Sequence, residues 1–193
     1  MAIIVNKEEK RRNIALSCRE LLLEHGIDNL TISQIAETAG VGKGTIYEYF
    51  DNKEDIVFEI ITTFIDEHKK RLVEISQSEM SVRDKLFHFL SLLFENEIAR
   101  KHLIIHKEFL AISLMHETKE MLTFSEESKE QFIVILNDIL KSGEEGEEIQ
   151  IPASTFVLFA TGLVVDSRLS TCDVKKEIHI FLDALFKNNT GGK

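Results

Sequence analysis

The chain has 193 residues, of which 44% are hydrophobic, and this composition is sufficient for a buried core. A formal net charge of −10 argues against a protein that coats nucleic acid or anionic membrane by bulk attraction, so any DNA binding has to be local. A single proline and the lack of sustained apolar–polar alternation predict an all-α fold of about nine helices.

The sequence also bears on the cellular compartment. The apolar start at residues 1–5 is too short for a signal peptide, and residues 155–165 are too short to span a bilayer. Cys18 and Cys172 both lie within helical patterns, which is consistent with a reducing compartment, and we expect no disulfide between them. These features predict a cytoplasmic protein without membrane attachment.

The first predicted helix covers about residues 7–25. Asn6 and Glu9 have the spacing of a capping box, apolar residues then recur helically, and Gly26 is a typical C-terminal stop. Basic residues near its start form either a solvated helix face or a clamp for DNA phosphates: Lys7, Lys10, Arg11 and Arg12.

Two short helices are predicted next. Thr31 can cap a helix that ends at Gly40, and Gly42 can open another helix that runs through Phe50. Two short helices separated by a Gly-Val-Gly turn have the pattern of a helix-turn-helix.

The segment AGVGKGT, residues 39–45, also resembles the phosphate-binding loop of a nucleotide enzyme. That loop needs a glycine ahead of the Gly-Lys pair and a hydroxyl residue directly after the lysine. Neither Glu37 nor Thr38 supplies the glycine, and Gly44 stands where the hydroxyl is required. The preceding residues have helical spacing, whereas such a loop follows a buried strand, so the segment argues against a nucleotide-binding enzyme.

The remaining chain is predicted to form longer helices. Asn52 can cap a helix that keeps an apolar face to about Ser76 and connects the two halves of the chain. Ser81 starts a helix that is apolar on almost all sides, as expected at the centre of a core. Further helices are predicted over residues 98–114, 117–141, from Pro152 onward, and 173–187.

Residues 30–56, LTISQIAETAGVGKGTIYEYFDNKEDI, strongly resemble the N-terminal helix-turn-helix of the TetR/AcrR family of transcriptional regulators. The resemblance covers about residues 10–57 and lies in the spacing IA-x-x-AGV-x-KGT-x-Y-x-YF-x-x-KE. The rest of the chain carries no comparable signature, and its assignment follows from helix number and order. The resemblance implies a DNA-binding domain at residues 1–52 and an effector-binding and dimerisation domain at residues 53–193.

The family resemblance implies a surface that faces double-stranded operator DNA. Sequence readout is expected from Lys43 and Thr45, because lysine can donate to guanine and a threonine methyl can pack on the thymine methyl. Glu48 either points to solvent or accepts from cytosine N4, and we favour solvent. Gly42 departs from the serine that is common at its position in the family. The implied DNA-binding residues are Thr31, Gly42, Lys43, Gly44, Thr45, Tyr47, Tyr49 and Lys53.

The larger domain implies a small-molecule effector, expected to be hydrophobic and, given the acidic balance of this region, neutral or cationic. Aromatic stripes are more often plain core than pocket, and both interpretations stay open. His102 and His106 have metal-ligand spacing but lack a further acidic or cysteine partner, so we expect no metal and no cofactor. The candidate ligand-binding residues are Phe64, His68, Phe87, Phe94, His106, Phe109 and Phe132.

The last two predicted helices carry broad apolar faces. By resemblance these helices form a homodimer interface, although the same faces could pack only within one chain. We favour a homodimer, because one short helix-turn-helix buries too little DNA surface for operator-level affinity. The candidate interface residues are Phe156, Phe159, Leu163, Ile178, Phe181, Leu182 and Leu185.

The function expected from these features is that of a ligand-responsive transcriptional regulator, a repressor released from a palindromic operator by its effector. The sequence lacks a set of nucleophile, base and orienting residue, so we do not expect an enzyme. The alternative is an all-α ligand-binding or interaction module without operator binding, an interpretation raised by Gly42, Glu48 and the acidic net charge.

Overall fold

The computed structural model describes residues 6–26, 29–115, 119–143, 149, 151–169 and 173–187, and the regular structure among them is helical. This confirms the all-α prediction. The helices are α1 (Lys7–Ser17), α2 (Arg19–His25), α3 (Ile32–Thr38), α4 (Lys43–Tyr49), α5 (Lys53–Ser76), α6 (Val82–Ser91) with a 3₁₀ turn (Leu92–Phe94), α7 (Glu97–Met115), α8 (Lys119–Lys141), α9 (Ala153–Leu169) and α10 (Val174–Lys187).

The predicted first helix is interrupted at Cys18, and this is the main difference in helix boundaries. Cys18 has φ −90° and ψ 1°, and its N–H donates to the carbonyl of Ala15, three residues back. The Cys18 side chain is buried as a free thiol, with Sγ 3.8 Å from the carbonyl oxygen of Ile35. The Cys18 thiol at this break therefore packs against α3. Cys172 lies outside the described residues.

The hydrophobic core consists of two clusters that share α5. The first cluster joins α1 to α4 with the first half of α5, through Ile60 and Phe64, and includes Phe109 of α7. The second cluster joins α6, α8, α9 and α10 with Leu72 near the end of α5. Each fully buried side chain of this size contributes roughly 1.5–3 kcal/mol. The core of the N-terminal helices thus continues past residue 52, where the domain boundary is predicted.

No helix within the described part of the chain combines the length and apolarity that crossing a membrane requires. Asn52 caps α5 as predicted, because its side chain accepts the N–H of Asp55 at 2.8 Å. From this cap α5 extends over 24 residues and passes both core clusters. It is therefore an element that can connect events in one cluster to the other.

Candidate functional site

The turn between α3 and α4 is held by local hydrogen bonds. Thr31 caps α3: its Oγ1 accepts the N–H of Gln34 and donates to Gln34 Oε1 at 2.7 Å. Gly40 has φ +65°, a conformation that favours glycine, and the Val41 N–H donates to the Ala36 carbonyl at 2.9 Å. Thr31 is therefore exposed but has a structural role at the start of α3.

Helix α4 has one buried and one exposed face. Ile46 is buried on the inner side, and Phe50 closes the helix against the same core cluster. The outer side exposes Lys43 and Glu48 as well as Tyr47, whose exposed fraction is 61%. An exposed tyrosine of this size is unusual in a chain that buries most aromatic residues, and it is typical of a contact surface.

The glycines of the predicted DNA-facing stretch differ in what the fold requires. A Cβ atom added at Gly42 or Gly44 would meet no atom within 4 Å, and neither residue has a positive φ. Gly42 is the N-cap of α4 and supplies no side-chain hydrogen bond. The fold therefore needs glycine at position 40 but accepts a larger residue at positions 42 and 44.

The other predicted DNA-binding residues lie beside this face. Thr45, Tyr49 and Lys53 are half-buried, and Tyr49 packs against the N-terminal core cluster. The structure thus brings Lys43, Gly44 and Tyr47 onto the exposed side of α4 and leaves the three half-buried residues with smaller accessible surfaces.

Arg11, considered as a phosphate clamp or a solvated residue, has a structural role instead. Its Nε donates to Glu59 Oε2 on α5 at 2.8 Å, and its guanidinium lies 4.3 Å from the centre of the Phe50 ring. The same guanidinium donates to the carbonyl of Tyr49 at the end of α4. Arg11 therefore fixes α4 and α5 relative to α1. The sequence could not reveal this role, because all three partners are distant along the chain.

A cavity of about 250 Å³ lies among five helices, α5 to α9, in the larger domain. Most of its lining is apolar, and five phenylalanines contribute. The cavity is lined by five of the predicted ligand-binding residues: Phe64, His68, His106, Phe109 and Phe132.

Two of the predicted ligand-binding residues, Phe87 and Phe94, do not line this cavity. Phe87 stacks on His179 of α10, with ring centres 4.6 Å apart, and Phe94 packs against the second core cluster. Phe89 lines the cavity in their place. Since α6 is apolar on almost all sides, its sequence does not determine which ring faces the cavity.

Sequence reasoning missed His102 as a cavity residue. The four-residue spacing of His102 and His106 was the available signal, and it places both on the cavity side of α7. The His102 ring stacks on Phe64, with centroids 3.5 Å apart and planes 15° apart, and lies 5.5 Å from the His68 ring centre. The structure therefore gathers three imidazoles at one part of the cavity lining.

These histidines are neutral near pH 7. Burial lowers the pKa of His68 to about 4, and the neighbouring His102 and His106 add to this effect. Burial also lowers the pKa of His102 to about 4, with a smaller contribution from Arg19, and it lowers the pKa of His106. Within the described ranges, no three histidine, cysteine or acidic residues are arranged to hold a metal ion. The imidazoles are thus available as neutral hydrogen-bonding groups.

Four of the predicted interface residues are buried within the single chain: Phe156, Leu163, Ile178 and Leu182. Phe159 and Phe181 stack on each other at 4.0 Å and are half-buried, like Leu185. Side chains that their own chain already covers have little surface left for contact with a partner. Among the described residues of these two helices, the large apolar side chains that are exposed are Leu158, Val165 and Ile180.

An exposed helix-turn-helix and an enclosed apolar cavity are the two features that characterise helix-turn-helix regulators with a separate ligand-binding domain. Residues 17–60 match the family model for bacterial regulatory proteins of the tetR family. The chain is also 27% identical over 169 residues to the fatty acid metabolism regulator protein of Bacillus subtilis (strain 168), covering 86% of this chain and 84% of that protein. The helix-turn-helix region therefore matches the tetR family, and the chain as a whole is similar to TetR/AcrR transcriptional regulators.

Solved structures share the whole architecture. A TetR/AcrR family member matches with a TM-score of 0.68 and 24% identity, over 93% of this chain and 99% of that chain. The regulator FadR from Bacillus subtilis, crystallised with stearoyl-CoA, matches with a TM-score of 0.68 and 23% identity, over 90% and 96% of the two chains. At these identities the similarity shows a common fold, which agrees with the resemblance in the sequence.

Proposed function

We propose that this chain is a homodimeric repressor that binds a palindromic operator through α4 and is released when a small apolar effector occupies the cavity. The observation that carries this proposal is the course of α5. This helix starts beside α4 at Lys53, contributes Ile60 to the N-terminal core, and lines the cavity with Phe64 and His68. One helix thus touches both functional regions.

The DNA-binding role is assigned to residues 1–52, with the first half of α5 as their support. Among the eight candidate residues, the exposure of Lys43 and Tyr47 supports direct contact with bases. Thr31 and Lys53 are assigned to the phosphate backbone, where contacts position a protein without reading sequence. Gly42 and Gly44 leave room for DNA to approach the α4 backbone.

The dimer role is assigned to the exposed apolar side chains of α9 and α10, Leu158, Val165 and Ile180. Exposed apolar surface of this kind is typical of a protein interface. Two-fold pairing would double the contacts with DNA and match a palindromic operator, which is the usual solution for a short recognition helix. Residues 53–193 then combine dimerisation with effector binding.

The cavity favours an uncharged effector. No acidic residue lines it within the described part of the chain, and Lys129 is the one lysine or arginine there. This removes the support for a cationic effector, which came from the net charge of the whole region.

The size of the cavity limits the size of the effector. A volume of about 250 Å³ is slightly below the usual range of roughly 300–1,000 Å³ for ligand pockets. We therefore assign a compact effector. A ligand as long as the stearoyl-CoA bound to FadR would require this cavity to enlarge.

The test is DNA binding, measured by fluorescence anisotropy on the region upstream of the protein's own gene across a range of salt concentrations. We expect Lys43→Ala and Tyr47→Ala each to weaken specific binding by about 1–3 kcal/mol, because each removes one base contact. Lys141→Ala removes an exposed lysine at the far end of α8 and serves as the charge-matched control. Specific binding that is absent in the wild type would favour the alternative module without operator binding.

A further inference from the structure

Arg11 of α1 contacts the C-terminal end of α4 in two ways. Its guanidinium donates to the carbonyl of Tyr49, the last residue of α4, and lies 4.3 Å from the ring centre of Phe50, which ends this helix. The last carbonyls of a helix have no partner inside the helix, and the helix dipole favours a cation beside them. Arg11 is therefore well placed to hold this end of α4.

The same guanidinium also contacts α5. Its Nε donates to Glu59 Oε2 at 2.8 Å, and the two side chains are 33% and 23% exposed. A partly buried, charge-assisted hydrogen bond is stronger than the bond of a fully exposed ion pair, which often contributes little. Arginine carries its N–H donors in one rigid plane, so two acceptors on different helices fix its orientation. Arg11 thus joins α1, α4 and α5 with a defined geometry.

Helix α4 needs a directional contact of this kind. With seven residues it is shorter than an isolated helix has to be for stability in water, so tertiary contacts hold it in place. Ile46 and Phe50 fix it to the core through apolar contacts, which have no preferred direction. Readout of base edges depends on hydrogen-bond distance and angle, so a small tilt of α4 would displace Lys43 and Tyr47 from the bases.

Glu59 distinguishes two roles for Arg11. If Arg11 bound a DNA phosphate, the carboxylate of Glu59 would compete with DNA for the guanidinium and repel the phosphates. Removing the charge of Glu59 would then strengthen DNA binding. If Arg11 instead orients α4, removing that charge loosens the contact and weakens specific binding. The two roles therefore predict opposite effects of the same substitution.

From these contacts we propose that Arg11 and Glu59 are positioning residues for operator recognition. Together they hold α4 in the orientation in which Lys43 and Tyr47 reach the bases, and neither contacts DNA. The inference rests on the proposed function of α4 as the recognition helix. It extends that function by making sequence specificity depend on a residue of α5, outside residues 1–52.

The experiment compares two DNA duplexes by fluorescence anisotropy with the full chain: the region upstream of the protein's own gene and a scrambled duplex of equal length. The quantity measured is the ratio of the two affinities across a range of salt concentrations. Arg11→Met keeps an apolar stem that can pack on Phe50 and removes both polar contacts. The ratio should fall about tenfold, which corresponds to about 1.4 kcal/mol. The salt dependence should stay unchanged, because no phosphate contact is lost.

Two conservative variants separate positioning from phosphate binding. Arg11→Lys keeps the charge, which would suffice for a phosphate, but lacks the rigid plane that reaches both acceptors. Its ratio should fall nearly as far as in Arg11→Met. Glu59→Gln keeps the size of the side chain and removes its negative charge. Its ratio should fall severalfold, although the protein becomes less negatively charged.

The charge-matched control is Arg71→Met. Arg71 pairs with Glu95 at 2.7 Å near the other end of α5, so this variant loses an ion pair of the same kind away from α4. It should leave the affinity ratio unchanged. Urea unfolding is measured in parallel, because an ion pair that only stabilises the fold would lower the free energy of unfolding without changing the ratio for the folded protein.

Three results would overturn the inference: an unchanged ratio in folded Arg11→Lys and Glu59→Gln, tighter operator binding by Glu59→Gln, or a salt slope reduced by about one in Arg11→Met. The isosteric Glu59→Gln variant decides the question if Arg11→Met fails to fold. A wild-type chain that does not distinguish the two duplexes would reject the proposed function and this inference together. Specific wild-type binding with unaffected variants would reject this inference alone.

Discussion

The exposed face of α4 and the cavity between α5 and α9 are opposite kinds of site. The first lies on seven residues of one helix and presents the exposed Tyr47 to solvent. The second is enclosed by five helices and is lined by residues such as Phe64 and His102, which are also part of the buried interior. Changes on α4 should therefore affect binding with little effect on stability, whereas changes in the cavity should affect both.

The prediction with the largest expected effect tests whether the exposed apolar side chains of α9 and α10 form the dimer interface. Leu158 on α9 is 63% exposed and Ile180 on α10 is 53% exposed. Replacing both with glutamate should place unpaired charges in the proposed interface and split the dimer, because buried charges need partners. Specific operator binding should then fall by about three orders of magnitude or more, towards the non-specific level. Sedimentation and anisotropy measure the two effects.

The control for this prediction is Leu114→Glu, which makes the same kind of substitution once, at an 87% exposed leucine on α7. It should leave the oligomeric state and operator binding unchanged. A dimer that persists in the double variant would show that the interface lies on another surface.

The next largest expected effect is on the pH dependence of the free energy of unfolding, and it follows from the histidines of the cavity. The pKa values of His68 and His102 are lowered to about 4, whereas an unfolded histidine titrates near 6.5. Between these values the unfolded chain binds more protons, so the free energy of unfolding falls as the pH falls from about 6.5 to 4. Above this window the two histidines contribute no pH dependence. The upper limit is about 3 kcal/mol for each residue.

Urea unfolding at pH 7 and pH 4.5 measures this effect. Carboxylates also respond to acid, so the informative quantity is the difference between the wild type and His102→Phe, which should lose less stability than the wild type over the same range. His25→Phe, at an exposed histidine of α2, is the control and should behave like the wild type. An identical loss in all three proteins would mean that burial of His102 does not govern its protonation.

The two sites also differ in how far the sequence alone revealed them. The helix-turn-helix depends on residues close together in the chain: the Thr31 cap, the turn at Gly40 and the buried Ile46 follow from local spacing. An exposed residue on a short helix is identified once the buried side is known. This is why the exposure of Lys43 and Tyr47 agrees with the prediction while the distant bridge made by Arg11 was not foreseen.

The cavity depends on how five helices rotate against one another, and a helix that is apolar on all sides leaves its own rotation undetermined. The sequence therefore could not distinguish Phe87, which stacks on α10, from Phe89, which lines the cavity. The same ambiguity affected α9 and α10, where Phe156 and Ile178 are core residues and Leu158 and Ile180 are exposed. Helix boundaries follow from the local sequence, but tertiary packing determines which residues face the cavity, the core or the solvent.

A smaller effect concerns the helix that joins the two sites. Thr62 is exposed in the middle of α5, between Ile60 in the N-terminal core and Phe64 at the cavity. Glycine at position 62 should cost less than about 1 kcal/mol of stability while making α5 more flexible. If α5 transmits the effector signal, Thr62→Gly should reduce the coupling between effector and operator more than either separate affinity. Thr62→Ala, which keeps the helix rigid, is the control.

The coupling is measured as the affinity for a compact, uncharged apolar ligand with and without operator DNA. Coupling is reciprocal, so a ligand that weakens operator binding tenfold is itself bound tenfold less tightly by the DNA complex, a difference of about 1.4 kcal/mol. Equal coupling in the wild type and Thr62→Gly would indicate that another contact connects the sites. The ion pair between Lys101 of α7 and Glu20 of α2, at 3.2 Å, is the next candidate.

The smallest expected effect is at Gly42, where the resemblance in the sequence led us to expect a serine. Gly42 has the extended backbone of an N-cap, φ −72° and ψ 152°, and a side chain there would meet no atom within 4 Å. A serine hydroxyl could accept an N–H in the first turn of α4, and the gain over glycine is only a few tenths of a kcal/mol. Gly42→Ser should therefore raise the free energy of unfolding slightly and keep operator binding at or above the wild-type level.

Chemical denaturation measures the free energy of unfolding, and anisotropy measures operator binding. Gly44→Ser is the comparison, because residue 44 lies inside α4 and cannot act as its cap. A loss of operator binding in Gly42→Ser alone would mean that DNA approaches the backbone at residue 42 too closely for any side chain, which would give this glycine a functional role.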